Sequence, residues 1–343
     1  MTAEPTSPAD VRIAYFITSY GASNQLVRLV RTLRGAAPDA PIVIHHDVFR
    51  SPVDPALRDI PDVHVLTSDH PIVWGDMTLE AARWRVFRWI LTHLQVDWVV
   101  LLSEQDYPIA PLRDLPARLN AADVDAFILG ERIDQITDPQ LRRECELRYL
   151  YRYISLPPVR IRRGLPASWR RSLSRFRGLF YTAVTRAQRK LFIYTTPEAL
   201  ELPSRIGLRQ GSTPFSEDFP CWYNDCWYAL SRKALERVVD FVDTHPEFVR
   251  YYERTVIPLE SATATIVFND PQLRVANQGM HAIRWSDPAS GRPDVFTVAD
   301  LGFLRDSTAA FARKFGPGDQ QILGELDRIV VSASASVPAT PPS

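Results

Sequence analysis

Over roughly the first 130 residues, short apolar runs alternate with stretches of helical periodicity. Residues 11–20, VRIAYFITSY, are apolar at most positions and predict a buried strand, after which Leu26, Val27, Val30 and Leu33 fall on one helical face. PIVIHHD (41–47) and DVHVLTS (62–68) read as a second and third strand. Leu79, Ala82, Val86, Trp89, Ile90 and His93 predict a long amphipathic helix. VDWVVLLSEQD (96–106) then predicts a fully apolar fourth strand and DAFILGE (125–131) a fifth. Such alternation predicts an α/β fold with a mostly parallel central sheet flanked by helices.

The last third returns to mixed structure, with CWYALS (226–231), a helix from about residue 232 to 243, and STAAFARKF (307–315). There is no internal repeat. Ligands of such sheets sit at the carboxyl ends of the strands. Those ends read Ser19-Tyr20-Gly21, His45-His46-Asp47, Ser103-Glu104-Gln105-Asp106 and Gly130-Glu131, a polar rim suited to a nucleotide or a sugar.

Charge changes the picture in one place. The chain of 343 residues is formally neutral, with 40 acids and 40 cations, which gives no overall bias toward nucleic acid or anionic membranes. From 147 to 197, however, there are twelve Arg or Lys and no acid. Within it, residues 166–192 mix basic with aromatic and aliphatic positions, including Trp169, Phe176, Phe180 and Tyr181. That pattern suits peripheral contact with a membrane or an anionic acceptor, or pairing with acids elsewhere in the fold. An RNA-binding reading is disfavoured by the acidic remainder.

Cys145, Cys221 and Cys226 cannot form a disulfide framework and are expected as free thiols. No apolar run reaches transmembrane length and the N-terminus lacks a signal pattern, so a cytoplasmic protein is expected, with peripheral contact at the inner membrane face as a variant. Residues 332–343 are Ser-, Ala- and Pro-rich and are expected to be a disordered tail.

The common catalytic signatures are missing: there is no glycine-rich dinucleotide fingerprint, phosphate loop, nucleophile elbow or zinc-protease helix motif. Ser103 follows a strand without a histidine placed to activate it. Asp123-Val124-Asp125 resembles a metal-holding Asp-x-Asp, but it precedes a strand where a site would follow one, so loop acids are the preferred reading. His45 and His46 point to opposite faces of a strand, so only one could join Asp47 in a metal site or a polar hook for a base or ribose. Glu260 stands alone in RTVIPLESATATIVFND (254–270), either as a charge at a helix start or as a reagent.

Six stretches in order resemble the core-2/I-branching β-1,6-N-acetylglucosaminyltransferase and peptide O-xylosyltransferase family. They are RIAYFITSYGASNQLVRLVRTL with PIVIHHD, IVWGDMTLEAARWRVFRWIL, VDWVVLLSEQDYPIAPL, CWYALSRKALERVV, PLESATATIVFND and DLGFLRDSTAAFARKF. The resemblance runs from about residue 11 to 330 and weakens between 135 and 215. It implies a GT-A-type fold, a UDP-sugar donor, inversion at the anomeric centre and no metal or other cofactor. Carried over by motif, Glu260 falls on the catalytic base, and Lys314, Arg313 and Arg292 on or near cations that meet the donor diphosphate. Asp47, Trp74, Ser103 and Asp106 line the donor pocket, while Glu131 and Trp227 lie on the acceptor side. Two departures stand out: Glu104 where the signature has glycine, and Leu259 where an acid precedes the base. The animal members' membrane anchor and many cysteines are also missing.

The resemblance implies one catalytic domain over 1–331, comprising a nucleotide-sugar half (11–134), a basic insertion (135–215) and a catalytic, diphosphate-binding half (216–331). The expected activity is metal-independent inverting transfer of a sugar, N-acetylglucosamine ahead of xylose, from a UDP donor to a hydroxyl of a glycan, lipid-linked or other acceptor. The other reading is a sugar- or nucleotide-binding protein without catalysis.

Overall fold

The computed structural model describes residues 11–21, 24–155, 191–194, 205–287, 292–316, 318 and 320–332. Its strands are β1 (Ile13–Ser19), β2 (Ile42–His46), β3 (Val63–Thr67), β4 (Trp98–Ser103), β5 (Asp106–Pro108), β6 (Ala126–Arg132), β7 (Tyr151–Ser155), β8 (Leu191–Tyr194), β9 (Arg205–Arg209), β10 (Trp222–Ser231), β11 (Val275–Ala276), β12 (His281–Ile283) and β13 (Phe311–Arg313). Seven form the central sheet in the order β11-β6-β10-β4-β1-β2-β3. The β1/β2, β1/β4, β2/β3 and β6/β11 pairings are parallel.

The five strands expected from the apolar runs all form; helix Asn24–Ala36 carries the chain back between the parallel neighbours β1 and β2, and helix Met77–His93 carries it from the edge strand β3 across to β4, on the other side of β1. Alternation along β1 sends Ile13, Tyr15 and Ile17 into a core under helices Asn24–Ala36 and Gln320–Ser332. Ala14 and Phe16 enter the opposite core, under helices Met77–His93, Arg232–Thr244 and Ala262–Asn269. Burial on both faces is why these strands are apolar at nearly every position rather than at every second one.

Three features were not visible in the periodicity. First, β10 inserts antiparallel between β4 and β6. Second, the buried face of helix Met77–His93 is rotated from the expected one. Ala82, Val86 and Ile90 are buried as expected, Leu79 and Trp89 are half-buried, and His93 is exposed. Their place inside is taken by Trp84, Phe87 and a charged pair, Glu80 and Arg83, 3.5 Å apart and almost fully enclosed. A buried acid and base three residues apart neutralise each other, and charge patterning alone reads them as solvent-facing.

Third, two small sheets, β12-β13-β5 and β7-β9-β8, flank the main one. Most of the acid-free stretch, with Trp169, Phe176, Phe180 and Tyr181, lies outside the described residues, as does nearly all of the 332–343 tail. Among the described residues no helix is long and apolar enough to cross a membrane. All three cysteines are free and buried.

Candidate active site

At the carboxyl ends of β1, β2 and β4 the polar rim is tightly cross-linked. Asp47, 1% exposed, accepts from the backbone N–H of Phe49 and of Ile72 and from Ser68 Oγ, each at 3.1 Å. Its carboxylate therefore ties together the loops that leave β2 and β3. His46 bonds Ser19 Oγ at 2.8 Å and the Ser51 carbonyl at 2.9 Å. His45 meets Arg85 instead, and burial together with that guanidinium pushes its pKa down to about 4. The two histidines thus serve different neighbours, as strand alternation requires. Among the described residues no three His, Cys, Asp or Glu converge as a metal-ligand group.

Glu104 takes the place of the signature glycine and is buried, its Oε2 accepting from the N–H of Gly21 at 2.9 Å and of Tyr20 at 3.2 Å. The departure from the motif is thus accommodated as a clasp on the turn after β1. A Cβ on Gly21 would stand 3.0 Å from the Glu104 carboxylate, so glycine at 21 is what gives the clasp its room.

Asp106 is fully buried, accepting from Ser103 N–H at 2.5 Å and from Arg313 Nη1 at 3.1 Å, with His281 Nε2 at 3.7 Å. Burial opposes its ionisation, but Arg313 and these neighbours outweigh it and hold the carboxyl below its usual value. Arg313 also donates to Ser103 Oγ at 2.5 Å, and its Cζ lies 4.7 Å from the Trp227 ring. Sequence positions 103, 106, 227 and 313 therefore form one cluster, held by the antiparallel register of Arg313 in β13 opposite Asp106 in β5.

Beside it, Lys314 is half-buried, with no side-chain partner among the described residues. Burial, followed by the charges of Arg313 and Arg292, holds its pKa below the ordinary lysine value. Arg313 and Arg292 thus lie close enough to Lys314 for their charges to act on it.

Glu260 ends the short 3-10 turn Pro258–Glu260 that precedes helix Ala262–Asn269. It does not act as a helix cap: Ser261 holds the N-cap position, and the Glu260 carboxylate accepts from Arg148 Nη1 at 2.6 Å. Its side chain is 19% exposed, and burial, only partly offset by Arg148, raises its pKa. With its amide oriented to satisfy both partners, Asn224 donates to the Glu260 carbonyl at 3.0 Å and accepts from Cys226 N–H at 3.1 Å. The turn is also fixed to the Trp74 segment, since Ile257 N–H donates to the Gly75 carbonyl at 2.8 Å. Trp74 itself is 37% exposed.

A bulge in β10 between Asn224 and Tyr228 links the two regions. Cys226 adopts φ 74°, a left-handed conformation that costs a non-glycine residue about 1–3 kcal/mol and clusters at functional sites. Within the bulge, Asp225 accepts from Trp227 N–H at 3.2 Å. Its charge acts on Glu260 and is acted on by Arg313. Glu131 is exposed at the end of β6, in register with Tyr223, a half-buried tyrosine that senses the Glu260 charge.

Arg148, Asp225 and His281 belong to this constellation and were not singled out from the sequence. Arg148 sits at the edge of the acid-free stretch, whose composition pointed outward; here it turns in to meet an acid 112 positions later. Asp225 had no signal at all, because only the bulge brings it round.

Asp123 and Asp125 lie at the other end of β6. Asp123 pairs with Arg274, and Asp125 accepts from Lys233 Nζ at 3.1 Å and from Arg274 N–H at 2.8 Å. Both are thus internally neutralised loop acids. Asp125→Ala is expected to lower stability by about 1–2 kcal/mol, by stranding the Arg274 N–H and the lysine, while leaving turnover intact. Urea unfolding midpoints beside initial rates check this.

Residues 13–142 match the family model described as Branch: Core-2/I-Branching enzyme. Two curated relatives from Arabidopsis thaliana are similar over 112 residues: beta-glucuronosyltransferase GlcAT14A at 30% identity and GlcAT14B at 29%. The aligned region is 32% of this chain and 25% and 26% of those proteins, so the chain spans about a quarter of the length of the curated relatives it matches. Among solved structures, 4-diphosphocytidyl-2C-methyl-D-erythritolsynthase from Anaerococcus prevotii DSM 20548 aligns over 87% of this chain and 96% of its own. Its identity is 11% and its TM-score 0.34. The family match takes in Asp47, Trp74, Ser103, Asp106 and Glu131 and stops short of Trp227, Glu260, Arg292, Arg313 and Lys314.

Proposed function

We propose, from the match of residues 13–142 to the Core-2/I-Branching enzyme family model and from the mostly parallel α/β sheet, that this protein is an inverting glycosyltransferase of GT-A-like fold. In this reading it takes a sugar from a UDP donor to an acceptor hydroxyl, with Glu260 as base. The observation that carries the reading is the pairing of one partly buried, raised-pKa carboxylate with a cation cluster, Arg292, Arg313 and Lys314, across the Asp225–Trp227 bulge.

An inverting displacement needs one base to take the hydroxyl proton as the oxygen attacks C1 from the face opposite the leaving group. Glu260 supplies an acceptor-only carboxylate at a partly open position. The departing UDP gains negative charge as the C1–O bond breaks, and cations aimed at it stabilise that change more than they stabilise the ground state. Lys314 fits this role directly, and Arg292 adds its charge beside it. Arg313, engaged with Ser103, Asp106 and Trp227, keeps the cluster in place and contributes its charge. These side chains can do what a divalent ion does elsewhere, so the transfer is proposed to need no metal. Asp47 and Glu104 act by fixing the loops of the donor rim, and Trp74 offers an exposed ring beside them. Glu131 and Trp227 are proposed to face the acceptor side.

N-acetylglucosamine is the donor sugar favoured by the motif resemblance, ahead of xylose. Glucuronic acid is a second reading, favoured by the printed activity of the Arabidopsis relatives. A panel of UDP-N-acetylglucosamine, UDP-glucuronic acid, UDP-xylose and a GDP-sugar control tests both. The true donor is expected to raise the unfolding midpoint, with a stabilisation of about 2.7 kcal/mol at a hundred times Kd, and to release UDP on turnover. Binding without UDP release from any donor would favour the non-catalytic alternative. The basic insertion is proposed to face a glycan or membrane-borne acceptor, and failure to sediment with anionic vesicles at low salt would remove the membrane version.

A further inference from the structure

Arg148 stands in a fork between two acids. It donates Nη1 to Glu260 Oε2 at 2.6 Å and Nη2 to Glu144 Oε1 at 2.7 Å. The guanidinium is 12% exposed, Glu260 19% and Glu144 45%, so the inner arm of the fork is shielded and the outer arm is wet. Among the other described groups that act on Glu260, the charges of Glu144 and Asp225 disfavour its ionisation, while a hydrogen bond from the Cys226 side chain favours it. Helix Pro139–Tyr149 presents Glu144, Cys145 and Tyr149; β10 presents Tyr223, Asp225 and Cys226. From helix Met77–His93, Glu80 and Arg83 reach the same Cys226 and pair with one another.

We propose that Arg148 is the positioning residue of the reaction: it keeps Glu260 ionised and aimed in a pocket that favours the protonated acid, with Glu144 holding the guanidinium when the proton arrives. The inference rests on Glu260 being the base. Before transfer the three groups carry a net charge of minus one. When the acceptor hydroxyl gives its proton to Glu260, as its oxygen bonds C1 and the UDP oxygen leaves with the electron pair of the broken bond, the trio becomes neutral. A lone Arg148–Glu260 pair would at that instant strand a buried cation. The fork avoids this, because Glu144 stays bonded throughout. Planar guanidinium geometry suits it to two carboxylates at once, which a lysine ammonium serves less well.

The test is the titration of the Glu260 carboxyl, followed by carbon NMR in the full chain and assigned by its loss in Glu260→Gln. Arg148→Gln is expected to raise the midpoint by about one pH unit or more, and Arg148→Lys to recover most of that shift. Glu144→Gln, which removes a like charge and should not disturb folding, is expected to lower it. The acid limb of the pH profile for UDP release should move in step with each midpoint, a response that a packing role for Arg148 would not produce. A Glu260 midpoint unmoved in folded Arg148→Gln, or in Glu144→Gln, overturns the proposal, as does an acid limb that ignores a moved midpoint. Failure of the base assignment has a different signature: Glu260→Gln keeps its turnover while the midpoints still shift.

Discussion

Glu260→Gln is expected to lower turnover by about 10²–10⁴-fold while leaving the fold and UDP-sugar affinity in place. The amide is nearly isosteric and keeps an oxygen to accept from Arg148, but it cannot take a proton at neutral pH. Glu260 contributes no cap to helix Ala262–Asn269, so the substitution removes little helix stability and its effect falls on the chemical step. The pH dependence has a definite sign. The working form is the carboxylate, and burial raises its pKa. Rates therefore fall as pH drops through a midpoint above the ordinary glutamate range, and are flat above it until another group titrates. Initial rates with pH, for the wild type and the variant, check both statements. Near-normal turnover in the variant would return Glu260 to a structural role.

Lys314→Ala is expected to weaken UDP binding and, in addition, to slow the chemical step by about 10²–10³-fold. The two losses arise together because the diphosphate becomes more negative as the bond breaks, so the lysine matters more in the transition state than in the complex. The side chain has no protein partner among the described residues to hold it otherwise, which makes it the member of the cluster freest to meet a ligand. Arg313 differs: its bonds to Ser103 and Asp106 mean that Arg313→Ala would also unpair a fully buried carboxylate and destabilise the domain. Isothermal calorimetry with UDP beside single-turnover rates separates binding from chemistry. A Lys314→Ala protein with unchanged affinity and rate would leave the leaving-group charge without its assigned partner.

The parts of this architecture set by local patterning were legible in the sequence. β1, β2, β3, β4 and β6 and their helices came from apolar runs and 3.6-residue periodicity, and the rim residues came from where those strands end. What depends on pairing across the fold was not. The antiparallel placement of β10 leaves no periodic trace, and its bulge, which brings Asp225 and Trp227 between Glu260 and Arg313, is set by register alone. Glu80 and Arg83 were not assigned to the buried face, because their mutual neutralisation happens only inside the core. The motifs carried Glu260, Arg313 and Lys314 as separate letters. The geometry adds that Arg313 is tied to Ser103 and Asp106, and that Arg148, a residue of the basic stretch, meets Glu260.

The most direct measurement of the central claim is UDP release by the wild type and Glu260→Gln, with the donor identified in the panel, in saturating EDTA and then with added Mn²⁺. The account predicts full wild-type activity in the chelator, no gain on adding Mn²⁺, and a loss of about 10²–10⁴-fold confined to the variant. Wild-type activity abolished by EDTA and restored by Mn²⁺ would contradict it.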